Sequence, residues 1–271
     1  MAAVSVFPSP RELGAALARL VAEAAAAAVA SDGRFTLGLS GGSMVELLAR
    51  ELPPALSATP GAEPSRWLVA FCDERLVPPE HPDSTFGAYR SQLLAQLPPP
   101  GPQVLSVRSE LDPAAAASDY WEQLQRAFPG EAVPQFQLLL LGVGPDGHTC
   151  SLFPGHALLQ EQHSLVAALE DSPKPPRARE QHSLVAALED SPKPPRARVT
   201  LTLPLLNAAR SVLLVAAGAS KAAALKRILE GDEEEPLPAA RVRPRSGRLR
   251  WLLDEEAAKE LRIPVERWPG S

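Results

Sequence analysis

His148 is the side chain of this sequence best suited to moving a proton near neutral pH. It is delivered by the turn Gly142-Val143-Gly144-Pro145-Asp146-Gly147, which ends the apolar run Phe136–Leu141. A short apolar run stopped by glycines predicts a buried parallel strand and its exit turn. In an open α/β sheet, ligands sit beyond the carboxyl ends of such strands. His148 is therefore a candidate general base. Asp146, two residues before it, is a candidate for orienting its ring or holding its charged form. A surface histidine on a glycine-rich turn has the same local pattern, so the rest of the chain must decide.

Ser40-Gly41-Gly42-Ser43 is a second candidate. It follows the strand-like Arg34–Leu39 and precedes Met44–Leu52, whose apolar residues recur at helical spacing. Strand, glycine turn and helix together present free backbone N–H groups to an anion, and small residues let a phosphate approach closely. Ser40 and Ser43 add hydroxyl donors. Cys72-Asp73-Glu74-Arg75 lies at the end of another apolar run, Trp67–Phe71. Such a charge run is usually a solvated rim. Here it shares a sheet edge with Gly41-Gly42 and His148. Lys221 falls in the first turn of a helix expected over Ser220–Leu229, where a cation opposes the helix dipole. A phosphate bound there relieves that opposition.

The elements that must hold these residues in place follow from the same patterns. Ser9-Pro10-Arg11-Glu12 starts a helix with a capping box, running to about Ala30 and ended by Asp32-Gly33. Pro53–Ser65 reads as loop. Ser84 caps a helix from Thr85 to about Leu97, and Asp112-Pro113 opens another to about Phe128. Gln103–Val107, Val199–Leu203, Ser211–Ala217 and Leu249–Leu253 read as strands, and Asp254 caps a last short helix. This alternation predicts a Rossmann-like α/β fold, a mostly parallel sheet with helices on both faces.

The chain has 271 residues, 45% of them hydrophobic, enough for one large α/β domain. A net charge of −5 argues against nucleic acid as a partner. Cys72 and Cys150 provide neither a disulfide framework nor zinc-ligand spacing, and read as buried free thiols of a cytoplasmic protein. No stretch approaches a membrane span; alanine-rich Leu20–Ala30 reads as helix, not signal peptide.

Glu161–Arg179 and Glu180–Arg198 are identical, letter for letter. Structural repeats drift and recur several times, so one perfect copy marks a recent in-frame duplication or a gene-model error. The fold is expected to accommodate one copy, with the other looped out at little cost. The duplication doubles a lysine, Lys174 and Lys193, and an arginine, Arg179 and Arg198. Only Arg198 runs directly into Val199–Leu203, so it is favoured over Arg179; the lysines stay undecided.

Five segments in order resemble the 6-phosphogluconolactonase family: Gly38–Ser43 (GLSGGS), Cys72–Arg90 (CDERLVPPEHPDSTFGAYR), Gly142–Pro154 (GVGPDGHTCSLFP), the stretch SPKPPRARVTLTLP ending at Pro204, and Gly218–Leu229 (GASKAAALKRIL). The likeness spans nearly the whole chain and extends to mammalian members of the family. It implies one domain, residues 1–271, related to the glucosamine-6-phosphate deaminase and ribose-5-phosphate isomerase fold. It also implies hydrolysis of 6-phosphoglucono-δ-lactone to 6-phosphogluconate without metal; no cofactor is expected, and a monomer is the expected state. The family's motifs suggest Arg75, Arg198 and Lys221 as a phosphate clamp with Gly41, Gly42 and Ser43, and Asp73 as a partner for sugar hydroxyls. Arginine suits this task because its planar fork matches phosphate oxygens. A related sugar-phosphate deaminase or isomerase is one rival. The deaminases' Asp-Gly-His continues into a stretch with a glutamate, whereas Thr149–Pro154 has no acid. The other rival is a non-catalytic sugar-phosphate-binding protein, should the duplication disrupt the site.

Overall fold

The structure, a computed structural model, describes residues 3–160, 184–245 and 247–268. The first copy of the duplication, with Lys174 and Arg179, lies outside the described residues; the second is described from Leu184 onward. Among the described residues there are eleven strands: β1 Ala3–Phe7, β2 Phe35–Leu39, β3 Trp67–Phe71, β4 Asp73–Arg75, β5 Gln103–Leu105, β6 Leu138–Gly142, β7 Val185–Leu188, β8 Arg198–Leu201, β9 Ser211–Ala216, β10 Arg248–Asp254 and β11 Glu266–Arg267. The helices are α1 Pro10–Asp32, α2 Ser43–Ser57, α3 Thr85–Gln92, α4 Pro113–Ala127, α5 Leu203–Leu206, α6 Ala222–Glu230 and α7 Glu255–Ala258.

Eight strands form a wholly parallel sheet in the order β11-β1-β10-β9-β6-β2-β3-β5. Both of its faces are buried, which is why its central strands read as unbroken apolar runs. Successive side chains of a strand point to opposite faces. Accordingly Leu139 and Leu141 of β6 enter the core under α4, α5, α6 and α7. Leu138 and Leu140 enter the core under α1, α2 and α3.

The start and stop signals act as expected. Ser9 accepts from the Arg11 N–H at 3.2 Å, and Gly33 ends α1 at φ +74°. Asp112 accepts from the Ala115 N–H at 3.0 Å, and Asp254 from the Ala257 N–H at 2.8 Å. Four expectations need correction. First, α2 continues through Pro53-Pro54 to Ser57. Pro53 has no N–H for the Ala49 carbonyl, and Gln96 Nε2 donates to that oxygen instead at 3.1 Å. Second, α3 stops at Gln92; the Leu93 N–H still bonds Tyr89 O at 3.0 Å, and a 3₁₀ turn over Leu94–Gln96 follows. Third, β8 is not in the parallel sheet but lies antiparallel between β4 and β7. The switch occurs at Cys72, whose N–H still bonds Leu39 O of β2 at 2.8 Å while its carbonyl accepts from the Leu201 N–H at 2.8 Å. Fourth, α1 is long and apolar enough by composition to cross a membrane. Its alanines supply that hydropathy, and Leu13, Leu17, Ala18, Val21, Ala22 and Ala25 are buried in the core. The strand patterns also did not single out β1, β7 or the short edge strand β11.

Candidate active site

The chain lays down β2, β3 and β5 toward one edge of the sheet, then returns with β6 beside β2 and continues through β9 and β10 toward the other. The β2/β6 boundary is thus a topological switch point, where a crevice opens beyond the strands' carboxyl ends. Both glycine turns open into it. The first follows β2. Its Ser40 N–H bonds Leu140 O of β6 at 3.0 Å, and its Ser40 carbonyl accepts from Tyr89 OH at 2.9 Å. Gly42 caps α2 at φ +75° and supplies no side-chain cap, so the first N–H groups of a fifteen-residue helix face the crevice. A methyl at Gly41 would come within 2.8 Å of Thr85 Oγ1, so this position must be glycine.

The second turn follows β6 and folds back on itself. The Gly144 N–H donates to His148 O at 2.8 Å, Thr149 Oγ1 to Gly142 O at 2.8 Å, and Gly147 takes φ +81°. The His148 ring lies against the bare Gly144 Cα, where an added Cβ would stand 1.9 Å from Nδ1. Its Nδ1 meets Asp146 Oδ1 in a short hydrogen bond, and Lys193 Nζ lies 3.2 Å from the same nitrogen. Lys193 also pairs with Asp146 Oδ2 at 2.9 Å. The other face of the ring rests on buried Phe153, 4.8 Å between centroids.

These contacts set the charges. Burial pushes the His148 pKa down and the Lys193 charge adds to that, outweighing the pull of Asp146, so the imidazole is neutral at pH 7. Burial of Asp146 acts to raise its pKa, but hydrogen bonds from His148 and Lys193 prevail and hold it at about 2. His148 lines the crevice whereas Asp146 and Lys193 do not. A proton on Nδ1 faces the Asp146 carboxylate, which leaves Nε2 as the basic nitrogen.

Gly41, Gly42, Ser43, Asp73, Arg75, His148 and Lys221 line this one crevice. Asp73 accepts from Ser151 Oγ at 2.7 Å, and Arg75 is steadied by Asp83 O at 3.0 Å. Lys221 sits in the 3₁₀ turn ahead of α6; burial and then the Lys193 charge push its pKa down. Two ammonium groups that oppose each other this way make a place for an anion. Arg198 stands apart. It is 4% exposed and does not line the crevice. Its guanidinium donates to Pro195 O and Lys193 O at 3.0 Å each and reaches Ser151 Oγ at 3.3 Å. It braces the loop that carries Lys193. That lysine is the site residue sequence analysis could not assign, because an identical Ser-Pro-Lys-Pro-Pro occurs 19 residues earlier.

Known proteins share this sequence pattern and fold. The family model for glucosamine-6-phosphate isomerases/6-phosphogluconolactonase matches residues 8–180 and again 177–251, the two matches meeting within the duplicated stretch. Human 6-phosphogluconolactonase is 54% identical over 97% of this chain and 95% of its own. The solved 6-phosphogluconolactonase of Trypanosoma brucei superposes with a TM-score of 0.75 at 28% identity, covering 96% of this chain and 99% of that one. A monomeric glucosamine-6-phosphate deaminase shares the fold, with a TM-score of 0.68 at 21% identity over 96% of this chain and all of that one.

Proposed function

The chain belongs to the glucosamine-6-phosphate isomerase/6-phosphogluconolactonase family and hydrolyses 6-phosphogluconolactone in the pentose phosphate pathway, and we propose that His148 is the base that activates water for this reaction. The observation that carries the proposal is the shared crevice. A histidine paired with a carboxylate stands in it beside an uncapped helix N-terminus, Arg75 and Lys221. His148 Nε2 takes a proton from water as its oxygen bonds to the lactone carbonyl carbon. The tetrahedral oxyanion collapses, the ring C–O bond breaks, and the imidazolium returns the proton to the departing ring oxygen. Asp146 stabilises the transient imidazolium as a buried carboxylate does in other histidine-based sites. The phosphate binds at Gly41-Gly42-Ser43, Arg75 and Lys221. Asp73 faces the sugar hydroxyls, and Arg198 contributes by holding Lys193 at the rim.

The same reading makes residues 1–271 one lactonase domain that works as a cytoplasmic monomer without a metal. The free, buried state of Cys72 and Cys150 supports a reducing compartment. His148→Ala tests the central role, with uncatalysed lactone hydrolysis subtracted. The expected result is a loss in kcat of about 10²–10⁴-fold with KM retained, the usual worth of general-base catalysis; near-normal turnover removes His148 from the mechanism. Glucosamine 6-phosphate should not be turned over, because Thr149–Pro154 offers no acid to open its ring.

A further inference from the structure

Glu74 is a buried carboxylate that the mechanism above does not use. It is 2% exposed and lies between two crevice residues, Asp73 and Arg75. Strand alternation turns its side chain to the opposite face of β4 from theirs. There Oε1 accepts from the Thr85 N–H at 2.7 Å and from the Arg75 N–H at 2.9 Å, and Oε2 accepts from the Phe86 N–H at 2.7 Å. Ser84 Oγ accepts from the Gly87 N–H at 3.0 Å, and Ser84 O from the Ala88 N–H at 3.1 Å. The opening turn of α3 is thereby fully capped, with a negative charge at the end of the helix that favours one.

The body of α3 then touches the other half of the anion site. The buried Thr85 hydroxyl abuts Gly41, and Tyr89 OH donates to Ser40 O at 2.9 Å. Thr85 Oγ1 has no hydrogen-bond partner, so its place is set by the backbone that Glu74 holds. The Arg75 side chain reaches back to Asp83 O, in the loop that leads into α3. Arg75 and the Gly41–Ser43 turn come from different strands; α3 contacts the turn, and the loop that leads into α3 contacts Arg75.

We propose that Glu74 is a positioning residue for substrate binding: by gripping the start of α3 it fixes the spacing between the Arg75 guanidinium and the Gly41–Ser43 turn. This rests on the assignment of those two features to the substrate's phosphate. Loss of the grip weakens binding of the phosphate and leaves proton transfer at His148 untouched, since Glu74 makes no contact with the Asp146–His148–Lys193 group. Glutamine keeps the length of the side chain but turns one acceptor into a donor facing a backbone N–H.

The test is steady-state kinetics on 6-phosphogluconolactone for Glu74→Gln, Tyr89→Phe and Arg75→Ala, with melting temperatures recorded. Glu74→Gln should raise KM about tenfold, the worth of one lost charge-assisted hydrogen bond, with kcat within about twofold of the parent. Tyr89→Phe, which frees the far side of α3, should raise KM in the same sense. A purely structural defect lowers the active fraction and therefore apparent kcat, and leaves KM alone. An unchanged KM in folded Glu74→Gln, or a fall in kcat at constant KM, overturns the proposal. If Glu74→Gln does not accumulate, an unchanged KM in Tyr89→Phe overturns it. An unchanged KM in Arg75→Ala instead overturns the phosphate assignment beneath it, so the two failures are distinct.

Discussion

Lys193 acts on His148 through its charge. Burial pushes the imidazole pKa below its ordinary value of 6.5, and the Lys193 ammonium, 3.2 Å from the ring nitrogen, adds to that against the pull of Asp146. Catalysis needs the neutral ring, so the acid limb of the kcat/KM profile should lie below that value. Lys193→Met removes a charge that disfavours the imidazolium; the His148 pKa then rises and the acid limb moves to higher pH. A limb that stays in place, read from kcat/KM between pH 5 and 8 where histidine titrates, separates Lys193 from the base. Arg198 acts one step further back. Because its donors are spent on the carbonyls of Lys193, Pro194 and Pro195 and on buried Ser151, Arg198→Ala leaves four acceptors without their donor. The expected cost is about 3 kcal/mol of unfolding free energy in denaturant titrations, together with the limb shift seen for Lys193→Met.

The two glycine turns do different work at the scale of elements. The Gly41-Gly42 turn exposes the N-terminus of α2; the Gly142–Gly147 turn folds back so that a ring can lie on bare backbone. Gly144→Ala places a methyl 1.9 Å from His148 Nδ1. Backbone on both sides is pinned by the Gly144–His148 and Gly147–Gly144 hydrogen bonds, so the ring must move. Gly144→Ala should therefore lose kcat on the scale of His148→Ala, about 10²-fold or more, while the fold is retained. Activity near the parent level would mean that the ring need not stay where it is. The small sheet β4-β8-β7 has a matching role. It aligns Arg75 opposite Arg198, and burial and then the Arg75 charge push the Arg198 pKa down. Like charges face each other there because each guanidinium has its own carbonyls to bind.

For the whole molecule, the duplication yields the plainest expectation. Every described site residue lies outside Glu161–Arg179, and Lys193 and Arg198 come from the second copy. Deleting Glu161–Arg179 or Glu180–Arg198 produces the same chain. That shorter chain should keep kcat and KM and melt at or above the temperature of the full one, since a connection shorter by 19 residues costs less entropy to close. A loss of activity on deletion would give the extra copy a function.

The amino-acid sequence by itself determined the central strands, because both-face burial leaves runs such as Leu138–Leu141 with no polar residue. It determined the helix starts, because caps at Ser9, Ser84, Asp112 and Asp254 are local chemistry. It also pointed to the two glycine turns and to His148, since a strand, a turn and a helix are contiguous in the chain. Tertiary structure alone decided how the charged residues divide. Asp73, Glu74 and Arg75 are one run in sequence, yet alternation on β4 sends two into the crevice and one to the end of α3. Arg198 reads as a clamp and is a buried brace, because the carbonyls that bind its donors are set by a loop that closes only in three dimensions. Two identical lysines cannot be told apart by their neighbours in the chain. Lys193 is distinguished only by where Arg198 holds it, beside Asp146 and His148 at the end of β6.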